Sequence, residues 1–439
     1  MPDAPPFADG PAPSGAPADL DPAFLLLPGP GDPDHQRFSR KVRLLALRGL
    51  LLGDPRGLDR GSARALDAAR AALADAARLR PDPLLRALGE PDVLAPLLCW
   101  RAGLIPAARA VSAVPALLLH AARAGALPQA VLWDAPLAEL PDPELGLTWA
   151  DAAPFSGLLA APEGVELRRS SGELVRLDRA SAARLPVRMD FPAFAPTLLP
   201  GVHLGLRDSN PLADQEAHPD KSGNAISLGG VELARWQAAM DEALGLVQAG
   251  LPGWFAALPG ALRRVVPVGF EPERHLSASY REAPGLVYLT LHPSALTLAE
   301  AVVHEVQHGR LNTLLLLDPV FHNGRTAWTP SPVRPDLRPL EGVLLAVHAF
   351  VPVAWMHARL AALGHPVAQT AAFAARRAQV LAGNARGLQI CEELAQPTDA
   401  GARLLTALRR VHAACAEAHP GDPVPETSLP SAPGGPLPC

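Results

Sequence analysis

Residues 297–317 read TLAEAVVHEVQHGRLNTLLLL. Apolar side chains recur there at three- and four-residue spacing: Ala299, Val302, Val303, Val306, Leu311 and Leu314. That period is helical. Thr297 and Glu300 form a T-x-x-E capping box at its start, and no proline interrupts the run before Pro319. Inside it lies His304-Glu305-Val306-Gln307-His308. Side chains four apart on a helix sit one turn apart on one face, so both imidazoles reach the same ion. A single histidine on an apolar helix face is ordinarily a core residue; two at metal spacing around a glutamate point to a metal centre.

The fold class follows by working outward from this helix. Short strands at Arg264–Val268 and Leu286–Leu291 precede it. A second long helix, Pro339–Leu363, follows, with Pro352 inside it. Val367–Gln396 and Ala402–His419 read as further helices, and Ala234–Leu246 as an earlier one. Val165–Arg168 and Glu173–Leu177 flank Ser170-Ser171-Gly172 and read as a hairpin. Val187–Phe191 and Val202–Leu206 read as strands, and Asp208-Ser209-Asn210-Pro211 as a turn. From Asp34 to Leu132 the pattern is helical, as in Gln36–Leu52, Ser62–Arg78 and Val93–Ala107. The expectation is an α+β chain, mainly α-helical. It has an N-terminal helical region over 21–143 and a metal-binding catalytic region over 144–419, in which the HExxH helix lies beside a small antiparallel sheet. Residues 1–20 and 420–439, rich in Pro, Ala and Gly, read as disordered.

Bulk properties exclude several classes. The chain has 439 residues, and its formal net charge of −5 leaves no basic excess for a nucleic-acid footprint. Cys99, Cys391, Cys415 and Cys439 show no CxxC spacing, which argues against a zinc knuckle and against a disulfide framework. The N-terminus lacks a basic segment followed by an apolar run, so no secretory signal is read. Apolar stretches such as Val111–Leu119 are too short to span a bilayer. A cytoplasmic protein without membrane or nucleic-acid partners is the expectation.

Two histidines are too few for a catalytic ion. The second long helix offers Glu341 and His348, two turns apart on one face. His348 is preferred because imidazole suits both zinc and iron; Glu341 stays open. Trp328, Trp355 and Phe350 lie near the site in sequence and read as core aromatics.

The stretch from Ser277 to Val353 resembles the HExxH-type peptide β-hydroxylases found in biosynthetic clusters for ribosomally made, post-translationally modified peptides. Ser277-Ala278-Ser279-Tyr280-Arg281-Glu282-Ala283-Pro284-Gly285 resembles the family's S-A-x-x-R-E-A-x-G segment. Val303–Leu311 resembles its V-H-E-x-Q-H-x-K-L helix. Ala327-Trp328 with Arg334-Pro335-Asp336-Leu337-Arg338-Pro339-Leu340 resembles its tryptophan loop, here longer than usual, and Gly342–Phe350 resembles the helix after it. Many relatives carry His at the position of Leu345 and Tyr at that of His348; here the histidine stands one turn later.

The resemblance implies an iron(II), 2-oxoglutarate-dependent oxygenase on a fold other than the double-stranded β-helix. Its substrate is a precursor peptide hydroxylated at a side-chain β-carbon. A radical SAM enzyme is a pathway partner by the same resemblance, since some relatives are fused to one. In this reading His304, His308 and His348 hold iron. Arg338, Arg334 and then Arg281 are candidates for the co-substrate's distal carboxylate, because guanidinium binds carboxylate in a bidentate fork. Ser277 and Ser279 offer hydroxyls to the same group. The competing reading is a zinc-dependent peptidase in which Glu305 is the general base. A third is a binding protein without catalysis, whose helical N-terminal half docks a leader peptide.

Overall fold

The structure is a computed structural model, and it describes residues 26–28, 32–193, 199, 201–213, 225–330 and 336–418. The termini read as disordered, 1–20 and 420–439, lie outside these residues. The chain opens with helices α1 (Pro33–Leu52), α2 (Arg60–Leu79), α3 (Pro81–Ala87), α4 (Pro91–Arg101), α5 (Ala107–Val111) and α6 (Val114–Arg123). Proline starts α1, α3 and α4 and is the second residue of α6, where its missing N–H costs nothing and its fixed φ suits the first turn. In α2 the buried positions Ala65, Leu66, Ala69, Ala72, Leu73 and Ala76 form one stripe, as an amphipathic helix requires.

The helical region is shorter than the expected 21–143. Gly125, at φ +69°, follows the end of α6, and the Ala126 N–H bonds back to the Ala121 carbonyl. This left-handed glycine stop releases the chain into strands β1 (Val131–Trp133) and β2 (Leu137–Asp142) before residue 144. There follow β3 (Leu147–Phe155), β4 (Gly157–Ala161), β5 (Gly164–Arg168), β6 (Leu174–Arg176), the one-turn helix α7 (Arg179–Ala182), β7 (Val187–Arg188) and β8 (His203–Leu204). The hairpin around Ser170–Gly172 is present as β5 and β6, with Leu167 opposite Val175.

The second half contains α8 (Leu233–Gly250), α9 (Pro252–Ala261), β9 (Arg264–Phe270), β10 (Ser277–Ala278), β11 (Leu286–Leu291) and α10 (Ala295–Leu315). It continues with β12 (Trp328–Pro330), β13 (Leu337–Pro339), α11 (Leu340–Ala362), α12 (Ala371–Leu394) and α13 (Asp399–Glu417). About 53% of the chain is helical and no sheet closes into a barrel among the described residues, so the chain is α+β and mainly helical. The other sheets are antiparallel, but the one beside α10 is mixed. Its order is β10-β11-β9-β8, in which β11, β9 and β8 run parallel and only β10, at the edge, is antiparallel. Parallel neighbours need a long crossover, and α8 with α9 supplies it between β8 and β9.

One apolar cluster extends from Leu26 to Cys415. The 23-residue α11 is long and apolar enough to cross a membrane, and 83% of its most apolar window is buried inside the fold, as in a core helix. Pro352 lies within it without ending it. The cap of α10 differs from the expected box. Ser294 is the N-cap and accepts from the Thr297 N–H, while Glu300 is drawn into tertiary ion pairs described below.

Candidate metal centre

The back of α10 is locked before its front is presented. Arg310 is buried and ion-pairs with buried Asp32, just ahead of α1, at 2.7 Å. The Gln307 side chain accepts from Trp254 Nε1 of α9 at 3.0 Å and donates to the Leu26 carbonyl at 3.5 Å. On the opposite side a cavity of about 910 Å³ is lined by His304, Glu305 and His308 together with Glu300 and Asn312 of the same helix. The two Nε2 atoms are 2.7 Å apart and the rings meet edge to face, centroids 4.4 Å apart. Ring nitrogens 2.7 Å apart are at hydrogen-bond distance, one donating to the other; to share an ion about 2.1 Å from each they would open to about 3.0–3.4 Å. Burial, and next the Arg338 charge, push the His308 pKa down, against an opposing effect of Glu305; His308 is therefore held as neutral imidazole, the form that ligates a metal. The donor set fits a divalent transition-metal ion at these two positions.

His348 lies elsewhere. It is fully buried, does not line the cavity, and has the Gln307 backbone as a polar neighbour. Burial, then Arg310, then His308, push its pKa down to about 3, with the Gln307 backbone opposing. The α11 positions that do line the cavity are Gly342, Leu345, Ala346, Val347 and Phe350. Among the described residues no three His, Cys, Asp or Glu side chains are placed to hold one ion. Glu341, the other candidate third ligand, pairs with Arg281 and, at 3.3 Å, with Arg325.

Each oxygen of the Glu305 carboxylate accepts a serine hydroxyl, Ser277 Oγ at 2.6 Å and Ser279 Oγ at 2.7 Å. Both serines come from the edge segment around β10, which also places His275, Ala278 and Tyr280 on the cavity wall. The serines thus hold Glu305 rather than stand free for a ligand. Of the three arginines singled out by sequence, Arg338 lines the cavity and pairs with exposed Asp336 at 3.2 Å. Arg281 is outside the cavity lining and pairs with Glu341. Arg334 lies outside the described residues.

Sequence reasoning missed the α12 wall. Arg376, Gln379, Val380, Gly383 and Arg386 recur at three- and four-residue steps along the cavity, a stripe visible in the sequence only as arginines among small residues. Glu300, one turn before His304, binds His357 Nε2 at 2.9 Å and Arg376 Nη2 at 2.6 Å. One carboxylate thereby ties α10 to α11 and α12. Burial alone would raise the Glu300 pKa, but His357 and Arg376 hold it below the usual carboxylate range. Phe350 packs against His304 with the two rings tilted, centroids 4.5 Å apart; of the three aromatics expected in the core, only Trp355 is buried there, and Trp328 is 60% exposed. The Asp208 turn combines local and tertiary bonds: its carboxylate accepts from the Asn210 N–H and, across the fold, from the Tyr288 hydroxyl of β11.

A comparison with protein-family models finds no match for this chain, and a comparison with curated proteins finds none either.

Proposed function

We propose that this chain is an iron(II)/2-oxoglutarate-dependent oxygenase that hydroxylates a side-chain β-carbon of a ribosomally made precursor peptide. The observation that carries the reading is the pair of converging Nε2 atoms, 2.7 Å apart, on the wall of a cavity of about 910 Å³. That volume, at the upper end of ligand pockets, has room for a small dicarboxylate and a peptide side chain together. The motif resemblance around Ser277–Gly285, His304–His308 and Arg334–Phe350 supplies the reaction class.

In this reading His304 and His308 hold the metal, and buried His348 is the candidate third ligand. Bound iron with 2-oxoglutarate supplies the oxidising chemistry that places an oxygen atom from dioxygen on a C–H bond. The protein's own residues position and protect. Ser277 and Ser279 fix Glu305 beside the histidines. Phe350 and Leu345 give the cavity an apolar floor that keeps bulk water from the reacting centre. Arg338, Arg376 and Arg386 outnumber the two wall carboxylates Glu300 and Glu305, a balance suited to an anionic co-substrate. Such an enzyme works in the cytoplasm, where its peptide is made, with a radical SAM enzyme as a partner in the pathway.

A zinc peptidase is the second reading, favoured by Glu305 lying on the same wall as both histidines. The serine hydroxyls fix the Glu305 carboxylate but leave each oxygen a second lone pair, so the two readings part on the metal and the reaction. Anaerobic purification with metal analysis, followed by 2-oxoglutarate turnover read as succinate release, separates the two. Iron with succinate formation is expected. Tight zinc, no succinate, and peptide cleavage abolished by Glu305→Gln would establish the peptidase instead.

A further inference from the structure

We propose that a second, smaller cavity, between α1, the end of α9 and α10, binds a small inorganic oxyanion of the phosphate or sulfate kind, held by Arg43 and Arg263. No residue lines both this cavity and the metal cavity, and the site does not depend on the oxygenase reading.

Helix spacing builds the walls. His35, Ser39 and Arg43 stand four apart on α1 and so share one face; all three line the small cavity. Gly309 and Thr313 do the same on α10. Each comes one residue after a residue of the metal cavity, His308 and Asn312. One residue is a rotation of about 100°, so α10 turns a different side to each cavity. Arg263, just ahead of β9, and Gly285, just ahead of β11, close the remaining side.

The walls carry cations and no carboxylate. Arg43 and Arg263 are among the lining residues, and no Asp or Glu is. Burial, and next the Arg263 charge, push the Arg43 pKa down to about 10, against an opposing effect of Glu90. Glu90 stands outside the lining and is also 3.8 Å from Arg264. Two guanidinium groups that feel each other across a small cavity are relieved by an anion between them. Each arginine lies against a glycine. A Cβ at Gly89 would stand 2.8 Å from the Arg43 Cζ, and one at Gly285, where φ is +86°, would stand 3.3 Å from the Arg263 Cγ.

Donors are in place around an empty space. His35 is only 4% exposed, and its Nε2 lies 3.2 Å from the Ser39 Oγ. Its Nδ1 and the Arg43 Nε are buried without a partner among the described residues. With the serine hydroxyl donating to Nε2, the proton of the neutral ring sits on Nδ1. Buried donors are ordinarily satisfied, and an oxyanion offers several acceptor oxygens. A Cβ at Gly309 would meet nothing within 4 Å beyond its own helix, so the space before α10 is open. The cavity is about 40 Å³, and a water needs about 10–15 Å³, so about three water-sized atoms fit. That suits the oxygens of a small oxyanion and excludes a peptide or nucleotide. Guanidinium forks match an oxyanion better than a single spherical halide.

Isothermal titration calorimetry of the full chain with inorganic phosphate tests this, at fixed ionic strength in a buffer free of other oxyanions. One phosphate per chain should bind with a dissociation constant below about 1 mM. Sulfate should compete and chloride should not. Arg43→Met and Arg263→Met should each weaken phosphate by about 10-fold or more, the loss of one charge-assisted bond. His304→Ala and Arg338→Met, both in the metal cavity, should leave it unchanged. Gly309→Ala decides the matter if an arginine variant fails to fold. Alanine is favoured over glycine inside a helix, so the melting temperature without phosphate should hold or rise, while the added methyl group occupies the cavity and weakens phosphate about 10-fold. Four results overturn the site: no saturable binding by about 10 mM phosphate, binding that survives the folded arginine variants or Gly309→Ala, binding lost in His304→Ala or Arg338→Met, and equal competition by chloride.

Discussion

The α10 and α12 walls face each other across one cavity, yet they are written in the sequence in different ways. The α10 wall concentrates its chemistry in five consecutive residues, with two imidazoles one turn apart whose Nε2 atoms meet at 2.7 Å. The α12 wall spreads its chemistry over eleven residues, Arg376 to Arg386, and no two of them share an ion. A motif emerges only where residues near in sequence act on a single atom. Where each residue meets a different part of a ligand, or a partner on another helix as Arg376 meets Glu300, the same face reads as an ordinary solvated one.

The largest expected effect breaks the α10 side alone. His304→Ala should reduce bound iron from one per chain to less than about a tenth, by metal analysis after anaerobic reconstitution, while the melting temperature of the metal-free protein moves by no more than a few degrees. Loss of folding with loss of metal would instead make the histidines structural.

Glu300→Gln acts on both walls at once. It removes a buried carboxylate from two cationic partners, so an unfolding free energy about 3 kcal/mol lower is expected in urea titration. An unchanged midpoint would show that the brace contributes nothing.

His348 sharpens the comparison through pH. Its folded pKa, about 3, lies below its unfolded value of about 6.5. The unfolded chain therefore takes up the proton first. The stability that neutral His348 contributes is fully present above pH 6.5 and is lost as pH falls toward 3. In metal-free protein the wild type should lose about 2 kcal/mol more than His348→Leu between pH 7 and pH 4.5. Parallel pH profiles would contradict the buried neutral imidazole.

The smallest effect concerns the floor. Leu345 lines the cavity one turn from His348, so Leu345→His places a third imidazole within the cavity wall. With His348 as third ligand, iron affinity should change by less than about 3-fold, read by competition with a metal-binding dye. A rise of about 10-fold would mean that His348 does not ligate the ion.

Much of the fold could be read directly. The α10 and α11 helices, the strands β9 and β11, and the β5–β6 hairpin follow from periodicity and turn residues. The start of α10 did not, because Ser294 and Thr297 are both good caps and only the path out of β11 chooses between them. The parallel pairing of β8 and β9 depends on α8 and α9 packing as a crossover, which no local pattern encodes. The histidine pair was legible. The serine–Glu305 clamp was not legible: from sequence Ser277 and Ser279 read as donors to a co-substrate carboxylate, and only the tertiary packing of β10 on α10 turns them to Glu305. Arg281 and Glu341, sixty positions apart, became an ion pair for the same reason, and this removed one candidate from the cavity.

The central claim is that these histidines hold an iron that accepts a 2-oxo acid. Anaerobic addition of 2-oxoglutarate to the iron(II)-loaded full chain tests it most directly, because chelation of iron by a 2-oxo acid gives a visible charge-transfer absorption. The account predicts that the band develops with one 2-oxoglutarate per chain and is absent in His304→Ala. A wild-type protein that binds iron and 2-oxoglutarate without the band, or that retains zinc and excludes iron, would contradict it.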